Sequence, residues 1–291
     1  MKYTTLNSYL KEKFGCKVYK ISLDCGFTCP NRDGTVSTGG CIFCSEGGSG
    51  DFAESRTLSV TEQIENGKQR VKGKIKNGKY IAYFQAFTNT YADTNHLREL
   101  YTQAINHPDI IALSIATRPD CLEQEKVELL GELNKIKPIF VELGLQTINE
   151  KTAKYINRGY TLDVYDSAVD RLHEKGINVV THLIIGLPNE SKEDMLSSVK
   201  YVCKKTDGIK LQLLHILRGT RLEKDYIDGK FEALTLEEYT DIIADCVKVI
   251  PEKIVIHRLT GDGAKKDLIA PLWSADKKRV LNTINKRLSE I

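Results

Sequence analysis

The stretches PIFVELGLQT (138–147) and INVVTHLIIGLP (177–188) are two apolar runs rich in β-branched residues, with helical sequence between them at about 149–175. Short apolar runs separated by amphipathic helical sequence are typical of parallel strands joined by helices. The same alternation extends in both directions along the chain. The predicted strands are 17–23, 80–85, 110–116, 138–145, 177–187, 208–214 and 253–259, and the predicted helices are 59–77, a stretch after Asp93, one from about 122, 149–175, one from Ser191, 235–249 and the C-terminus.

This alternation predicts an α/β fold in which six or seven strand–helix units form a partial or near-complete (β/α) barrel. Catalytic groups of such barrels lie at the C-terminal ends of the strands. No linker, repeat or low-complexity segment interrupts the pattern, and a length of 291 residues suits one barrel. We therefore predict a single domain over residues 1–291, with a cysteine-rich loop at 25–50 and a C-terminal extension from about 250.

The composition is that of an ordinary globular chain, 41% hydrophobic and 28% charged, with a net charge of +3. This charge permits an anionic partner such as RNA without arguing for one. The first twenty residues lack the apolar region and cleavage site of a signal peptide, and no run approaches the ~18 apolar residues of a membrane span. We therefore expect a cytoplasmic protein with no membrane partner and with reduced thiols.

Four of the eight cysteines lie in one short stretch, DCGFTCPNRDGTVSTGGCIFCSE (24–46). Clustered thiols in a reducing compartment indicate metal binding or catalysis more often than disulfides. Cys25, Cys29, Cys41 and Cys44 could form a four-thiolate zinc site. Alternatively, Cys29, Cys41 and Cys44 could hold three corners of a 4Fe-4S cluster and leave one iron open for another molecule. The sequence leaves both possibilities open at this point.

Further motifs follow the predicted strands one by one: YFQAFTNTYAD (83–93), ATRPD (116–120), ELGLQT (142–147), INRGY (156–160) and LIIGLP (183–188). Together with CPNRDGT (29–35) and GGCIFC (39–44), they resemble the radical S-adenosylmethionine (SAM) superfamily. The resemblance is to the YtqA/YhcC-like proteins, and it extends to the radical SAM domain of the Elongator catalytic subunit. It covers nearly the whole chain.

The resemblance implies a 4Fe-4S cluster bound by Cys29, Cys41 and Cys44. The usual spacing in the superfamily is Cys-x3-Cys-x2-Cys, and this chain departs from it because Arg32 stands where a third cysteine would follow Cys29. The match is instead to a longer loop, in which Cys25 is a buried neighbour and not a ligand.

The resemblance also implies a SAM site at the strand ends. Phe43, which directly precedes the third cysteine, would pack on the adenine. The turn after the second strand, Gln85, Ala86, Phe87 and Thr88, would bind the methionine amino group in place of the usual Gly-Gly-Glu.

Four later residues complete the implied SAM site, each with a structural alternative. Arg158 would bind the SAM carboxylate, or would be an exposed helix arginine. Gln146 would hold a ribose hydroxyl, and Glu142 would do the same or pair with a nearby base. His182 would contact the ribose or adenine, or would be a satisfied core histidine.

The implied activity is reductive cleavage of SAM to a 5′-deoxyadenosyl radical, with an electron from a donor such as flavodoxin or ferredoxin. The implied substrate is the wobble uridine of a tRNA anticodon loop, converted from 5-carboxymethylaminomethyl-(2-thio)uridine to 5-aminomethyl-(2-thio)uridine. The sequence has no counterpart of the Elongator acetyltransferase domain, so we do not expect carboxymethylation with acetyl-CoA. The alternatives are a radical SAM enzyme for a small metabolite, such as a porphyrin or lipid precursor, and a non-catalytic zinc-containing RNA-binding module.

Basic residues late in the chain are candidates for contacts with the substrate or with RNA phosphates. Their alternatives are structural ion pairs and a solvated helix face. They are His215, Arg218, Arg221, His257, Arg258, Lys265, Lys266, Lys277, Lys278, Arg279, Lys286 and Arg287.

Overall fold

A computed structural model describes residues 3–48, 50, 53–74, 78–261, 263 and 265–290. The strands in these ranges are β1 (Thr4–Thr5), β2 (Val18–Leu23), β3 (Lys79–Phe84), β4 (Ile110–Thr117), β5 (Ile139–Gln146), β6 (Asn178–Ile185), β7 (Gly208–Leu213), β8 (Ile216–Leu217), β9 (Val255–Arg258) and β10 (Leu268–Ala270). The helices are α1 (Leu6–Phe14), α2 (Val60–Val71), α3 (Thr94–Asn106), α4 (Gln124–Asn134), α5 (Glu150–Tyr155), α6 (Leu162–Glu174), α7 (Lys192–Val202), α8 (Arg221–Ile227), α9 (Leu236–Val249) and α10 (Lys277–Ser289).

Eight strands form one parallel sheet in the order β1-β9-β7-β6-β5-β4-β3-β2. The sheet curls into a partial barrel, which confirms the predicted α/β fold class. Strands β8 and β10 form a separate antiparallel pair beyond the end of β7. Because β2 to β7 are all parallel, their carboxyl ends and the loops that follow them meet at one rim of the barrel.

The side chains of each strand alternate between two environments. Outward-facing residues such as Leu143 of β5 and Val179 of β6 pack with helix residues such as Val169 of α6 in the main core. Inward-facing residues near the amino ends of the strands pack against Leu10 of α1. Helix α1, which the sequence patterns did not predict, therefore fills the end of the barrel opposite the cysteine-rich loop.

The helical stretch predicted at 149–175 is two helices, α5 and α6, separated by the INRGY motif. Asn157 and Gly159 have φ values of +56° and +84°, in the left-handed region that ends helices. The helix predicted at 59–77 consists of α2 and a short 3₁₀ turn at 72–74, and residues 75–77 lie outside the described residues.

Strand β1 near the start of the chain pairs with β9 near its end, within the same sheet as the other long strands. This pairing supports the proposal of a single domain. In the ranges that the structure describes, none of the helices combines the length and the apolar character that a membrane crossing requires.

Candidate active site

The cysteine-rich loop follows β2 and is fixed to the rim of the barrel at Ile42. This side chain is buried and packs against Ile156 and Leu222. The Ile42 amide donates to the Ile156 carbonyl at 3.1 Å, and the Leu222 amide donates to the Ile42 carbonyl at 2.9 Å. Ile42 lies between Cys41 and Phe43, so these contacts hold both neighbours at the rim.

The INRGY motif also fixes the loop. The Asn157 side-chain amide donates to the Gly40 carbonyl at 2.9 Å, and the buried Asn31 side chain donates to the Asn157 carbonyl at 2.5 Å. A β-carbon at Gly159 would lie 2.8 Å from the Asn31 side-chain oxygen, so a glycine is needed at that position. Asn157 and Gly159 of this motif are thus explained by contacts that position the cysteine-rich loop.

Cys29, Cys41 and Cys44 line one cavity at this rim, whereas Cys25 packs against the main core. Burial, with Cys44 nearby, raises the pKa of Cys41 to about 12. Among the residues that the structure describes, Glu65, His107 and Asp109 form the only trio of possible metal ligands with all ligand atoms within 4.8 Å of one another. No three of the four loop sulfurs are therefore that close together.

The cavity has a volume of about 380 Å³ and extends from the cysteines into the barrel. It brings together all the predicted site residues except Ala86, namely Cys29, Cys41, Phe43, Cys44, Gln85, Thr88, Glu142, Gln146, Arg158 and His182. Ala86 is part of the turn that follows β3, and its side chain is fully buried. Any contribution of Ala86 to a ligand would therefore come from its main chain.

Phe87 shapes the turn after β3. Its φ is +60°, unusual for an aromatic residue, and its amide donates to the Gly48 carbonyl at 2.8 Å. The guanidinium of Arg32 lies over its ring, 5.3 Å from the ring centre. A β-carbon at Gly48 would lie 2.3 Å from that ring, so this turn and the cysteine-rich loop are closely packed together.

Gln146, at the end of β5, presents an unsatisfied polar atom. Its amide oxygen is buried and has no hydrogen-bond partner among the described residues. Its φ of +72° is a further departure from ordinary strand geometry. Buried amide oxygens are nearly always bonded, so this atom is suited to accept a hydrogen bond from a ligand in the cavity.

Glu142 lies deeper, in the centre of the barrel, and is fully buried. Its carboxylate accepts from Ser114 at 2.6 Å and from Nε2 of His182 at 2.8 Å, and it forms ion pairs with Lys20 and Lys210. Although burial alone would raise it, the two lysines hold the pKa of Glu142 well below its usual value. The contacts match the structural alternative for Glu142, pairing with nearby bases.

The basic partners of Glu142 are affected by the same burial. The pKa of His182 falls to about 4, so its ring is neutral near pH 7 and Nε2 carries the proton donated to Glu142. Burial lowers the pKa of Lys210 to about 7, against the attraction of Glu142. The ammonium of Lys210 also lies 3.2 Å from the Tyr83 hydroxyl.

Arg158 is neither exposed nor free to turn toward the cavity. It is 1% exposed, and its guanidinium donates to the carbonyls of Tyr160 and Thr147 and to Glu150. Arg118 of the ATRPD motif also lines the cavity, where it binds Asp120 through Nε and Nη2 at 2.9 and 2.6 Å. Arg118 is a candidate cation that the sequence patterns did not single out.

Lys20 and Lys210 were also missed, although the sequence carries a signal for them. Each is a lysine inside an otherwise apolar strand, VYKISL in β2 and GIKLQL in β7. Lysines are rarely buried without a specific partner. The partner, Glu142, lies 122 and 68 positions away, so only the folded chain identifies it.

The late basic residues lie in four different places. Arg218, Arg221 and Lys266 line a groove on the outer side of the cysteine-rich loop, whereas His215 and Arg258 line the cavity itself. His257 is held inside the barrel beside Gly208, with an Nδ1 that is buried and unpaired among the described residues. The remaining exposed members are Lys265 and the α10 residues Lys277, Lys278, Arg279, Lys286 and Arg287, of which Arg287 pairs with Asp241 at 2.7 Å.

Two family models match this chain. The model described as the Radical SAM superfamily matches residues 31–202, and the one described as the Radical_SAM C-terminal domain matches residues 206–290. The chain belongs to the radical SAM superfamily. This membership confirms the predicted cofactors, a 4Fe-4S cluster and SAM, and the need for an electron from a reductant. Membership therefore favours a cluster over the zinc alternative for the cysteines.

The relatives agree with the resemblance found in the motifs. The protein YtqA of Bacillus subtilis (strain 168) is 48% identical over 288 residues, which cover 99% of this chain and 89% of YtqA. The tRNA uridine(34) acetyltransferase of Methanocaldococcus jannaschii is 29% identical over 157 residues, 52% of this chain and 28% of that protein. The solved structure of Methanocaldococcus infernus Elp3 with an N-terminal deletion has the same fold, with a TM-score of 0.65 at 17% identity over 90% of this chain and 63% of that one.

The residues present fit the two cofactors. One zinc ion bonded at about 2.3 Å to each thiolate would bring the sulfur atoms within about 4 Å of one another. In every trio of the loop cysteines at least one pair of sulfur atoms lies beyond 4.8 Å, so no trio is spaced for a single zinc ion. Three thiolates that line one cavity are the ligands that an iron–sulfur cluster takes. The unpartnered oxygen of Gln146 opens onto the same cavity and suits a ribose hydroxyl of SAM.

Proposed function

We propose that this protein is a radical SAM enzyme that modifies the wobble uridine of tRNA, in which Cys29, Cys41 and Cys44 hold the cluster. The observation that carries the proposal is one cavity that is lined by these three cysteines and also by the cationic side chains of Lys210 and Arg258. Cys25 is outside this cavity and takes no part. When bound, the cofactors supply a 5′-deoxyadenosyl radical that removes a hydrogen atom from an unactivated carbon of the substrate.

The side chains around the cavity would orient SAM. Gln146 accepts a ribose hydroxyl through its free amide oxygen, and the Phe43 ring packs on the adenine. Gln85 and Thr88 lie at the turn where the methionine amino group would bind. Arg118 is a better candidate than Arg158 for the SAM carboxylate. All three guanidinium nitrogens of Arg158 are bonded to the protein, whereas Arg118 bonds the described residues through Nε and Nη2.

Two observations support a tRNA substrate. The region similar to tRNA uridine(34) acetyltransferase covers about half of this chain, and that relative acts on a uridine of tRNA. The groove beside the cysteine-rich loop carries Arg218, Arg221 and Lys266, which suit the phosphates of an anticodon loop. A single-stranded base can leave its stack and enter a narrow cavity while the backbone stays outside. A tRNA substrate also implies action in the cytoplasm.

The reaction that we propose converts 5-carboxymethylaminomethyl-(2-thio)uridine to 5-aminomethyl-(2-thio)uridine. The electron would come from a small donor such as flavodoxin or ferredoxin. The carbon beside the amine nitrogen would lose one hydrogen atom to the radical and one further electron, and water would hydrolyse the resulting imine. The carboxymethyl group would then leave as glyoxylate, with SAM as the oxidant that is converted to methionine and 5′-deoxyadenosine. The carboxylate of this arm is the only anionic group on the base. The polarity of the cavity agrees with such an arm, because cationic side chains line it and Glu142 is the only acidic one among its described residues.

The test is nucleoside mass spectrometry of tRNA from cells that lack this protein. We expect the carboxymethylaminomethyl nucleoside to accumulate and the nucleosides derived from the aminomethyl form to disappear. Expression of the wild type or of Cys16→Ala should restore the profile, whereas expression of Cys44→Ala should not. An unchanged profile in cells that make these nucleosides would contradict the tRNA assignment.

Purified enzyme gives a second readout. With SAM, a reductant and tRNA from the deletion strain, it should form the aminomethyl nucleoside and release 5′-deoxyadenosine. If it instead cleaves SAM only in the presence of a small metabolite, then the substrate assignment is wrong and the superfamily assignment still holds.

A further inference from the structure

Arg32 contacts the main chain at or beside all three of the cysteines that line the cavity. Its own amide donates to the Cys29 carbonyl at 2.8 Å, and Nη2 of its guanidinium donates to the Cys44 carbonyl at 3.2 Å. Next to Cys41, a β-carbon at Gly40 would lie 3.1 Å from Nε of Arg32, so the arginine side chain packs directly against that glycine. One arginine therefore connects the three parts of the loop that carry these thiols.

The guanidinium of Arg32 is fixed by two further contacts. Nη2 also donates to the Ser45 carbonyl, and the ring centre of Phe87 lies 5.3 Å from the guanidinium carbon. Arginine suits this position because its planar group donates hydrogen bonds at its edge and packs on an aromatic ring with its face. Arg32 lines both the cavity and the groove on the outer side of the cysteine-rich loop, so its side chain forms part of the wall between them.

The positive charge of Arg32 is not paired with a carboxylate in the part of the chain that the structure describes. The hydrogen bonds of its guanidinium go to carbonyl oxygens, which orient the group and leave its full charge in place. Thiolates that hold a cluster are negative, and one-electron reduction of the cluster adds a further negative charge. A fixed cation beside the ligands therefore favours the reduced state over the oxidised one.

We infer that Arg32 raises the reduction potential of the cluster, as well as holding the loop that carries the cluster ligands. This inference rests on one part of the proposed function, the ligation of the cluster by Cys29, Cys41 and Cys44. Arg32 stands where the usual spacing of the superfamily would have a third cysteine. The longer loop of this chain thus has a cation at the position of a thiolate, and that cation makes an electron easier to accept from the donor.

The test measures the reduction potential of the reconstituted holoenzyme without SAM. Anaerobic titrations with mediator dyes are followed by the electron paramagnetic resonance signal of the reduced cluster. Arg32→Gln removes the charge but keeps an amide donor for the loop carbonyls, so we expect full iron content and reduction that is about tenfold less favourable. For a one-electron couple this corresponds to a potential about 59 mV lower. Arg32→Lys keeps the charge, so its potential should stay close to that of the wild type.

Arg98→Gln is the matched control. It removes the same charge from an exposed position on α3, where Arg98 pairs with Glu132 at 2.7 Å, and its iron content and potential should equal those of the wild type. If Arg32 only held the loop, Arg32→Gln would change the iron content and leave the potential of the remaining clusters unchanged. The potential therefore separates the effect of the charge from the effect of the hydrogen bonds.

The possible failures differ in what they overturn. An Arg32→Gln protein with a wild-type potential overturns the inference, and so does a lowered potential or a lost cluster in Arg32→Lys. If Arg32→Gln loses its iron, the lysine variant decides, because an intact cluster at the wild-type potential supports a role of the charge. In each case the proposed function stands, since the nucleoside analysis of tRNA tests it separately. If alanine at Cys29, Cys41 or Cys44 leaves the cluster intact, the ligand assignment is wrong, and the inference with it.

Discussion

The side-chain amide of Asn31 donates a hydrogen bond of 2.5 Å to the main-chain carbonyl of Asn157, which lies 126 positions later in the sequence. Asn157 in turn donates to the Gly40 carbonyl, just before Cys41. The Asn31 side-chain nitrogen also lies 3.6 Å from the Cys41 sulfur. The turn after α5 thus controls the position of a cysteine contributed by the loop that follows β2, three strands away from β5 in the sheet.

The first prediction tests the bond from the Asn157 side chain to the Gly40 carbonyl with Asn157→Gly. Glycine keeps the positive φ of this position but removes the side-chain bond, so we expect a loss of about 1 kcal/mol in unfolding free energy and reduced iron content after reconstitution. Asn189→Gly is the matched control, since Asn189 has a similar φ of +65° in an exposed turn. Urea titration and iron analysis are the measurements. Equal behaviour of the two variants would show that the contact does not position the cysteine-rich loop.

The second prediction concerns the cluster ligands. Alanine at Cys29, Cys41 or Cys44 should abolish the cluster, whereas Cys25→Ala should retain about four irons per chain, because that thiol packs against the core. Iron and sulfide analysis with the visible absorption spectrum distinguishes these cases after anaerobic reconstitution. Loss of the cluster in Cys25→Ala, or its retention in Cys29→Ala, would contradict the assignment.

The third prediction concerns the unpartnered oxygen of Gln146. Gln146→Asn should weaken SAM binding about tenfold, because the shorter side chain withdraws the amide while asparagine tolerates the positive φ. Gln124→Asn, an exposed site at the start of α4, is the control for the same chemical change. Equilibrium dialysis of SAM with the reconstituted proteins gives the affinities. An unchanged affinity in a variant with full iron content would remove Gln146 from the SAM site.

The fourth prediction concerns the buried carboxylate. Glu142→Gln should lower the free energy of unfolding by about 3 kcal/mol, because it leaves Lys20 and Lys210 without a counter-charge. Glu132→Gln breaks an exposed pair with Arg98 and should cost less than about 1 kcal/mol. Urea unfolding at neutral pH measures both. A similar small cost for the two substitutions would mean that Glu142 does not neutralise Lys20 and Lys210.

The fifth prediction follows from the lowered pKa of Lys210, about 7 in the folded protein against 10.5 as its ordinary value. Between pH 7 and 10.5 the unfolded chain binds more protons at Lys210 than the folded protein does. The destabilising effect of Lys210 is therefore complete below pH 7 and decreases as the pH rises. The charged and titratable groups that face it are Lys20, Tyr83, Glu142, His182 and Arg258. Relative to Lys210→Met, the wild type should gain about 3 kcal/mol of stability between pH 7 and about 9.5. If the urea midpoints of the two proteins change with pH in the same way, the pKa of Lys210 is not lowered.

The sequence by itself determined where the main strands lie along the chain and that the functional residues follow their carboxyl ends. Strand β5 was predicted at 138–145 and is found at Ile139–Gln146, because a β-branched apolar run between turn residues has few alternatives. The short pair β8–β10 and helix α1 were not predicted. Strands β8 and β10 are too short, at two and three residues, to show a period. Helix α1 was missed although Leu6, Tyr9, Leu10 and Phe14 recur at helical spacing and pack together in the barrel.

Only the tertiary structure decided which charges meet. From the sequence, Arg158 and Glu142 each had a SAM-binding role and a structural alternative, with the SAM carboxylate favoured for Arg158. Lys20 and Lys210 gave only the weak signal of a lysine in a largely apolar strand. The curled parallel sheet brings the inward faces of β2, β5, β6 and β7 to one centre, where a buried charge is stable only beside its counter-charge. Local periodicity sets where a strand runs and which face it buries. Which side chains share that buried space depends on strand order and register, which no local stretch of sequence contains.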